Sequence, residues 1–241
     1  MRLDVGAMPS GAPSSLRERI AVLRTEIDET ARAAGRDPAS VALLGVTKTR
    51  PHGVVLAAIE AGLCDVGETY VQEARTKFEA LPPVRKHFIG HVQTNKARAL
   101  VETFDVIQSI DRLEAGLAIG RAQRTLGKPV RALLQLNVAP TSRYGVAPDD
   151  APALADRLRR EGLDVDGVMA IGPLTEDRDE IVRAFRRAAQ VFESVGGTTL
   201  SLGMSNDWRE AIACGSTMVR IGTAIFGPRA RRIGPDEEAG R

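Results

Sequence analysis

Residues 41–51, VALLGVTKTRP, decide the fold. From Val41 to Val46 every residue is apolar or glycine, so both alternating faces of an extended chain are greasy. That pattern belongs to a strand covered on both sides, as in a parallel sheet flanked by helices. The run then stops at Thr47-Lys48-Thr49, followed by Arg50-Pro51. A lysine that ends a buried strand is uncommon, because an ammonium is costly to take out of water. Two readings of Lys48 stand open. Either it snorkels from the rim to water or a carboxylate, or partial burial lowers its pKa and leaves an amine able to attack a carbonyl.

Working outward from this strand, helical and extended patterns alternate along the chain. Upstream, Ser15 with Glu18 makes a capping-box pattern. Leu16, Ile20, Leu23 and Ile27 then repeat at helical spacing until Gly35. Downstream, further strands are expected at 65–69, 87–90, 105–111, 130–138, 165–171, 199–204 and 217–221. Helical stretches fall near 52–62, 70–80, 95–103, 112–126, 149–161, 179–195 and 207–214. Eight strands alternating with helices predict an α/β fold, a TIM (β/α)8 barrel with an extra N-terminal helix. An open doubly wound sheet is the alternative, but neither GxGxxG nor GxxxxGKS/T is present to support it. No linker divides the chain, so a single domain is expected over 14–228, with flexible tails at 1–13 and 229–241.

Composition narrows the function. The 33 basic and 31 acidic side chains leave a net charge of +2, which offers no field for nucleic acid or a membrane surface. No apolar run reaches the ~18 residues that suggest a membrane span, and the start lacks the apolar stretch of a signal peptide. A cytoplasmic location is expected. Cys64 and Cys214 lie far apart and outside any CxxC, which predicts two reduced, partly buried thiols. His87 and His91 fall at an expected strand end rather than on one helix face, so no metal site is expected. No serine–histidine–aspartate set or pair of carboxylates stands out at the strand ends.

In a TIM barrel the chemistry gathers at the carboxyl ends of the strands, with phosphate near the loops after strands 7 and 8. Strand 7 ends in Gly203-Met204-Ser205-Asn206, and a helix starts near Asp207 with Glu210 in a capping-box relation. Its first turn offers N–H groups to an anion, and Ser205 adds a hydroxyl. The alternative is that Ser205 or Asn206 only caps the helix. Strand 8 reads Met218-Val219-Arg220-Ile221-Gly222-Thr223. Arg220 interrupts an apolar run and shares a face with Met218 and Gly222. It is either half of a structural salt bridge or a donor to a ligand. Gly222 permits close backbone approach, and Thr223 supplies a hydroxyl. Barrel closure sets strand 8 beside strand 1, about 4.8 Å away. A small ring then spans the gap, with an aldehyde at Lys48, a ring nitrogen at Arg220 and a phosphate at Ser205, Gly222 and Thr223. That is the shape of pyridoxal 5'-phosphate held as a lysine Schiff base.

The segments LLGVTKTRP, GETYVQEA, HFIGHVQTNKAR, GVMAIGPL and LSLGMSNDWREAIACGSTMVRIGTAIFG resemble the pyridoxal phosphate homeostasis proteins, the YggS/PROSC group, over about residues 41–227. The resemblance implies the alanine racemase N-terminal barrel and Lys48 as the imine lysine. It implies phosphate contacts at Ser205, Gly222 and Thr223, with Met204 beside them, and Arg220 at the pyridine nitrogen. The chain departs from the family at Thr69, His91 and Asn206, where Asn, Pro and Asp are usual. The function implied is that of an intracellular carrier or buffer of pyridoxal phosphate without strong catalytic activity, with apo-enzymes as candidate recipients; a monomer is expected because no added dimerisation element is evident.

Two chemical points bear on catalysis. An arginine at the ring nitrogen disfavours protonation of the pyridine, which weakens the ring as an electron sink. Racemases of similar fold add a tyrosine base from a further domain, for which the chain after strand 8 leaves no room. Of the two tyrosines, Tyr70 starts the helix after strand 2, and Tyr144 lies in the loop after strand 5, on the cofactor side, where it stands as a candidate base. A weak amino acid racemase therefore stays open as the alternative function. A Schiff-base aldolase acting on a sugar phosphate is a third. Trp208 directly follows the phosphate loop; its fluorescence is expected to fall on cofactor binding, unless it serves only the core.

Overall fold

The computed structural model describes residues 15–139 and 144–228; the expected tails lie outside them. Eight parallel strands close on themselves in sequence order. They are β1 (Ala42–Val46), β2 (Asp65–Glu68), β3 (Arg85–Phe88), β4 (Val106–Ile110), β5 (Arg131–Leu136), β6 (Asp164–Ala170), β7 (Thr199–Ser201) and β8 (Met218–Ile221). Pairing of β8 with β1 closes the barrel and removes the open-sheet alternative. Around it run α1 (Leu16–Ala33), α2 (His52–Glu60), α3 (Val71–Lys77), α4 (Ala97–Thr103), α5 (Leu113–Leu126), α6 (Ala151–Arg160), α7 (Arg178–Val195), α8 (Trp208–Ala213) and α9 (Thr223–Phe226). None of these helices is long and apolar enough to cross a membrane.

The extra helix α1 begins with the expected capping box. Glu18 N donates to Ser15 Oγ at 3.2 Å, and Ser15 N donates to Glu18 Oε2 at 3.0 Å. Its buried face, Ile20, Leu23, Ile27 and Ala31, packs on α8 and α9. Arg19 Nε adds a 2.6 Å bond to the Ile225 carbonyl, so α1 braces the helices beside the closing seam of the barrel.

Two expectations need correction, and one element was not expected. β3 lies at Arg85–Phe88, not at 87–90, so His87 is inside the strand rather than at its end. The chain leaves the ladder at Gly90, where a Cβ would fall 2.1 Å from the Thr69 carbonyl oxygen. Cys64 is exposed, not partly buried, and both cysteines are free. Finally, α9 is a helix of four residues, too short to announce itself by periodicity.

Two cores differ in chemistry. The space between sheet and helices is filled by an apolar shell that includes Leu43, Val66, Ile107, Leu134, Phe185 and Val219. In the barrel interior Val106, Leu133 and Met169 form a small apolar cluster, and Leu44 and Met218 are also buried at inward positions. Alongside them the polar side chains of Asp65, His87, Gln108, Ser201 and Arg220 are all buried. Barrels of this type usually fill that space with branched aliphatics.

Candidate functional site

Register builds the barrel mouth. Leu44 stands opposite Arg220, and Gly45 opposite Ile221. The next position sets Gly222 against Val46, where a Cβ on the glycine would lie 3.4 Å from the Val46 carbonyl oxygen. Thr47 sends its hydroxyl outward to Glu68 Oε1 at 2.7 Å. Lys48, half-buried, stands in the turn just past β1, two residues beyond Val46 and not in the strand itself as expected. Gly203 joins β7 to this edge, since Arg220 N donates to its carbonyl at 2.9 Å. The loops carrying Lys48, Gly222-Thr223 and Met204-Ser205 thus occupy three consecutive strand ends.

Arg220 is buried but holds no carboxylate directly. Its Nη1 donates to the Ser201 carbonyl at 2.7 Å and to Ser201 Oγ at 2.8 Å, and Nη2 donates to the Ala170 carbonyl at 2.8 Å. Neutral acceptors therefore take up three of the five N–H donors of a guanidinium, and the structural salt bridge is not what fixes it. Burial pushes its pKa down to about 10, against the pull of the Asp207 carboxylate. The group remains a cation at neutral pH.

The loop after β7 folds on itself. Met204 N donates to Asp207 Oδ1 at 2.5 Å, so the Met204 amide is already occupied. Burial raises the Asp207 carboxyl above its ordinary value, opposed by that amide and by Arg220. The Asp207–Glu210 capping box expected from the sequence does not form. Asp207 makes no side-chain cap to α8, and Glu210 pairs instead with Arg178 at 2.9 Å. The hydroxyls of half-buried Ser205 and exposed Thr223 have no protein partner among the described residues. Beyond Gly222, the first N–H groups of α9 have no acceptor within the helix. Met204, Ser205 and Asp207 also line a cleft of about 860 Å³ that runs toward Gly172 and Arg178. Its lining comes from the segments that follow β6 and β7, and Lys48 is not part of it. Trp208 is 3% exposed and belongs to the apolar shell.

Reading the sequence missed a hydrogen-bonded chain that crosses the barrel interior beneath Arg220. Ser201 Oγ donates to Gln108 Oε1 at 2.8 Å. Gln108 Nε2 contacts His87 Nδ1 at 2.9 Å, and His87 Nε2 contacts Asp65 Oδ1 at 2.9 Å. Arg85 Nη1 closes the far end, 3.2 Å from the same oxygen. The directions follow from the donors. A guanidinium only donates, so Ser201 accepts from it and gives its own proton to Gln108. The Gln108 amide then donates to Nδ1, and the imidazole proton sits on Nε2 facing Asp65. His87 is thus neutral, in keeping with burial that lowers its pKa against the pull of Asp65. The only trace in the sequence is a polar residue at inward positions of four strands, which means nothing until the register is known.

Across the mouth, His91 and Tyr144 stack with ring centroids 4.1 Å apart and planes at 23°. His91 Nδ1 lies 3.5 Å from Asp111 Oδ2, and Thr69 Oγ1 is buried without a partner. Among the described residues, no three His, Cys, Asp or Glu side chains gather as a metal site.

Residues 20–230 match the family described as alanine racemase, N-terminal domain. A pyridoxal phosphate homeostasis protein of Pseudomonas aeruginosa is 44% identical over 223 residues, 90% of this chain and 96% of that one. The protein of the same name from Escherichia coli K12 is 38% identical over 236 residues, 90% of this chain and 97% of the relative. Among solved structures, PipY of Synechococcus elongatus with pyridoxal phosphate bound superposes with a TM-score of 0.79 at 33% identity. The match covers 88% of this chain and 100% of PipY.

Proposed function

This chain belongs to the family of pyridoxal phosphate homeostasis proteins, and from that premise we propose that it binds pyridoxal 5'-phosphate at the barrel mouth as a carrier. Lys48 holds the aldehyde as a Schiff base. Ser205, Gly222 and Thr223 receive the phosphate, Arg220 faces the ring nitrogen, and the Met204 side chain borders the ring. The observation that carries this reading is the β1–β8 register, which sets Gly222 against Val46 and so brings the anion cup beside the Lys48 turn. The residues fit the group: hydroxyls without protein partners for the phosphate, N–H donors left on a buried cation, and an amine at the rim. Binding of the same compound by PipY supports it.

When bound, the cofactor supplies an electron sink for carbanions next to an amino group. Arg220 limits that chemistry, because a guanidinium beside a pyridine nitrogen keeps it unprotonated. The proposed role is that of a monomeric buffer of cytoplasmic pyridoxal phosphate that passes the cofactor to apo-enzymes, and the weakened electron sink accounts for the lack of strong catalysis. One observation favours the weak racemase as a second reading. The His91–Tyr144 stack puts two proton-carrying groups on the side of the mouth opposite β8.

Adding pyridoxal phosphate should produce a visible absorbance that borohydride bleaches as it reduces the imine to a stable amine. Mass spectrometry should then find one pyridoxyl adduct, on Lys48, and none in Lys48→Ala. Adducts scattered over other lysines would overturn the assignment. Incubation with L-alanine in deuterated water separates the two functions, with slow α-proton exchange for the carrier and rapid exchange, lost in Tyr144→Phe, for the racemase.

A further inference from the structure

The turn that presents Lys48 is gripped from behind by charges that the proposed site does not use. Arg50 N donates to the Thr47 carbonyl at 3.0 Å, which closes a turn with Lys48 and Thr49 at its centre. Thr49 has φ 65°. Positive φ at the third position of a turn normally calls for glycine, and a β-branched residue there is strained. Such a conformation persists only where its surroundings enforce it.

The enforcing groups lie on α3 and β2. Lys77, 6% exposed, donates to the Thr47 carbonyl at 2.7 Å, to Glu73 Oε1 at 2.6 Å and to Glu68 Oε1. Glu73 Oε1 also accepts the Thr49 N–H at 2.7 Å. The residue before Lys48 and the residue after it are therefore tied to one ammonium–carboxylate cluster. As a source of stability, a buried ion cluster is a poor choice, since desolvation cancels much of the attraction. An apolar contact would dock α3 equally well. What an apolar contact lacks is the ability to grip a carbonyl and an N–H on either side of a single residue.

We propose, resting on the assignment of Lys48 as the cofactor lysine, that Lys77 and Glu73 are positioning residues that clamp the backbone around Lys48 and aim its amine into the barrel mouth. Glu68 anchors the clamp, its carboxylate wholly buried between β2 and α3.

Two ligands separate positioning from general damage. Pyridoxal 5'-phosphate engages both the amine and the anion cup, whereas pyridoxine 5'-phosphate carries an alcohol in place of the aldehyde and reads the cup alone. Lys77→Met and Glu73→Ala should each weaken the aldehyde ligand by about tenfold or more, as misplacement of a reacting group does. Binding of the alcohol should stay unchanged, and Lys77→Arg should restore part of the loss. Borohydride trapping should show correspondingly lower occupancy of Lys48. Unchanged aldehyde affinity in both variants overturns the clamp, and so does an equal loss for both ligands, which marks the cluster as merely structural. Should Lys77→Met fail to fold, Glu73→Ala decides, because that side chain is 30% exposed and lies at the edge of the cluster. If instead the natural chain binds both ligands alike and Lys48→Ala changes nothing, it is the assignment of Lys48 that fails.

Discussion

Two glycines at the mouth look interchangeable in the sequence and are physically opposite. Gly203 has φ 88°, and a Cβ there would lie 2.8 Å from Trp208 Cα and 2.7 Å from Ala211 Cβ. Both the conformation and the space belong to the protein, so Gly203→Ala should cost about 1–3 kcal/mol of stability. Gly222 has φ −114°, which any residue adopts, and a Cβ there meets nothing nearer than the Val46 carbonyl oxygen at 3.4 Å. The protein has little objection to a methyl group at that point, but a phosphate seated against the backbone does. Gly222→Ala should therefore melt close to the natural chain and bind pyridoxal phosphate about tenfold more weakly, a change of about 1.4 kcal/mol. Parallel thermal melts and absorbance titrations check both. A Gly222→Ala variant that binds normally would move the phosphate away from this strand end.

At the scale of elements, most of the barrel was legible because strand and helix signals are local. The apolar run before Lys48 and the capping box at Ser15 each depend on a few neighbouring residues, and both are found where expected. The α3 cluster was not legible. Lys77 and Glu73 stand four apart near the end of a helical stretch, which reads as an ordinary solvated ion pair, yet Lys77 is buried. Only the approach of β2 and the Lys48 turn gives that pair a second use. The same locality makes a clean prediction for α1. Ser15→Ala removes the acceptor for Glu18 N and should cost about 1 kcal/mol. Because Ser15 lies ahead of the α1 turn that reaches α9, where Arg19 meets the Ile225 carbonyl and not Thr223, urea unfolding should shift while cofactor absorbance at saturation does not. A spectral change would mean that α1 also shapes the cup.

The barrel as a whole is organised by what lies inside it, and that part required the closed fold to be seen. Asp65, His87, Gln108 and Ser201 come from four strands and meet only because the sheet curls round, leaving Arg220 tethered to a chain that reaches Arg85. Each link has a fixed direction, so a proton added at His87 disturbs all of them. Protonated Nδ1 no longer accepts from Gln108, whose amide must turn, and Ser201 then loses its acceptor. The sign of the pH effect follows. Burial holds His87 below its ordinary value of 6.5, so as pH falls below that value the unfolded chain binds a proton that the folded chain refuses. Stability falls with pH in this window, by at most ~1.4 kcal/mol per pH unit for one group. Glu68 acts in the opposite sense. Its carboxyl is raised above 4.5 by burial, and the proton it retains favours the folded state as pH falls through the window above that value. The difference between the natural chain and His87→Gln therefore isolates the histidine. Urea midpoints at about pH 7 and about pH 5.5 should separate in the natural chain by more than in the variant. Pyridoxal phosphate affinity, measured against the same variant to cancel titration of the phosphate, should weaken over the same interval because Arg220 loses its support. Equal pH slopes in the two proteins would show that the interior chain is filling rather than scaffold.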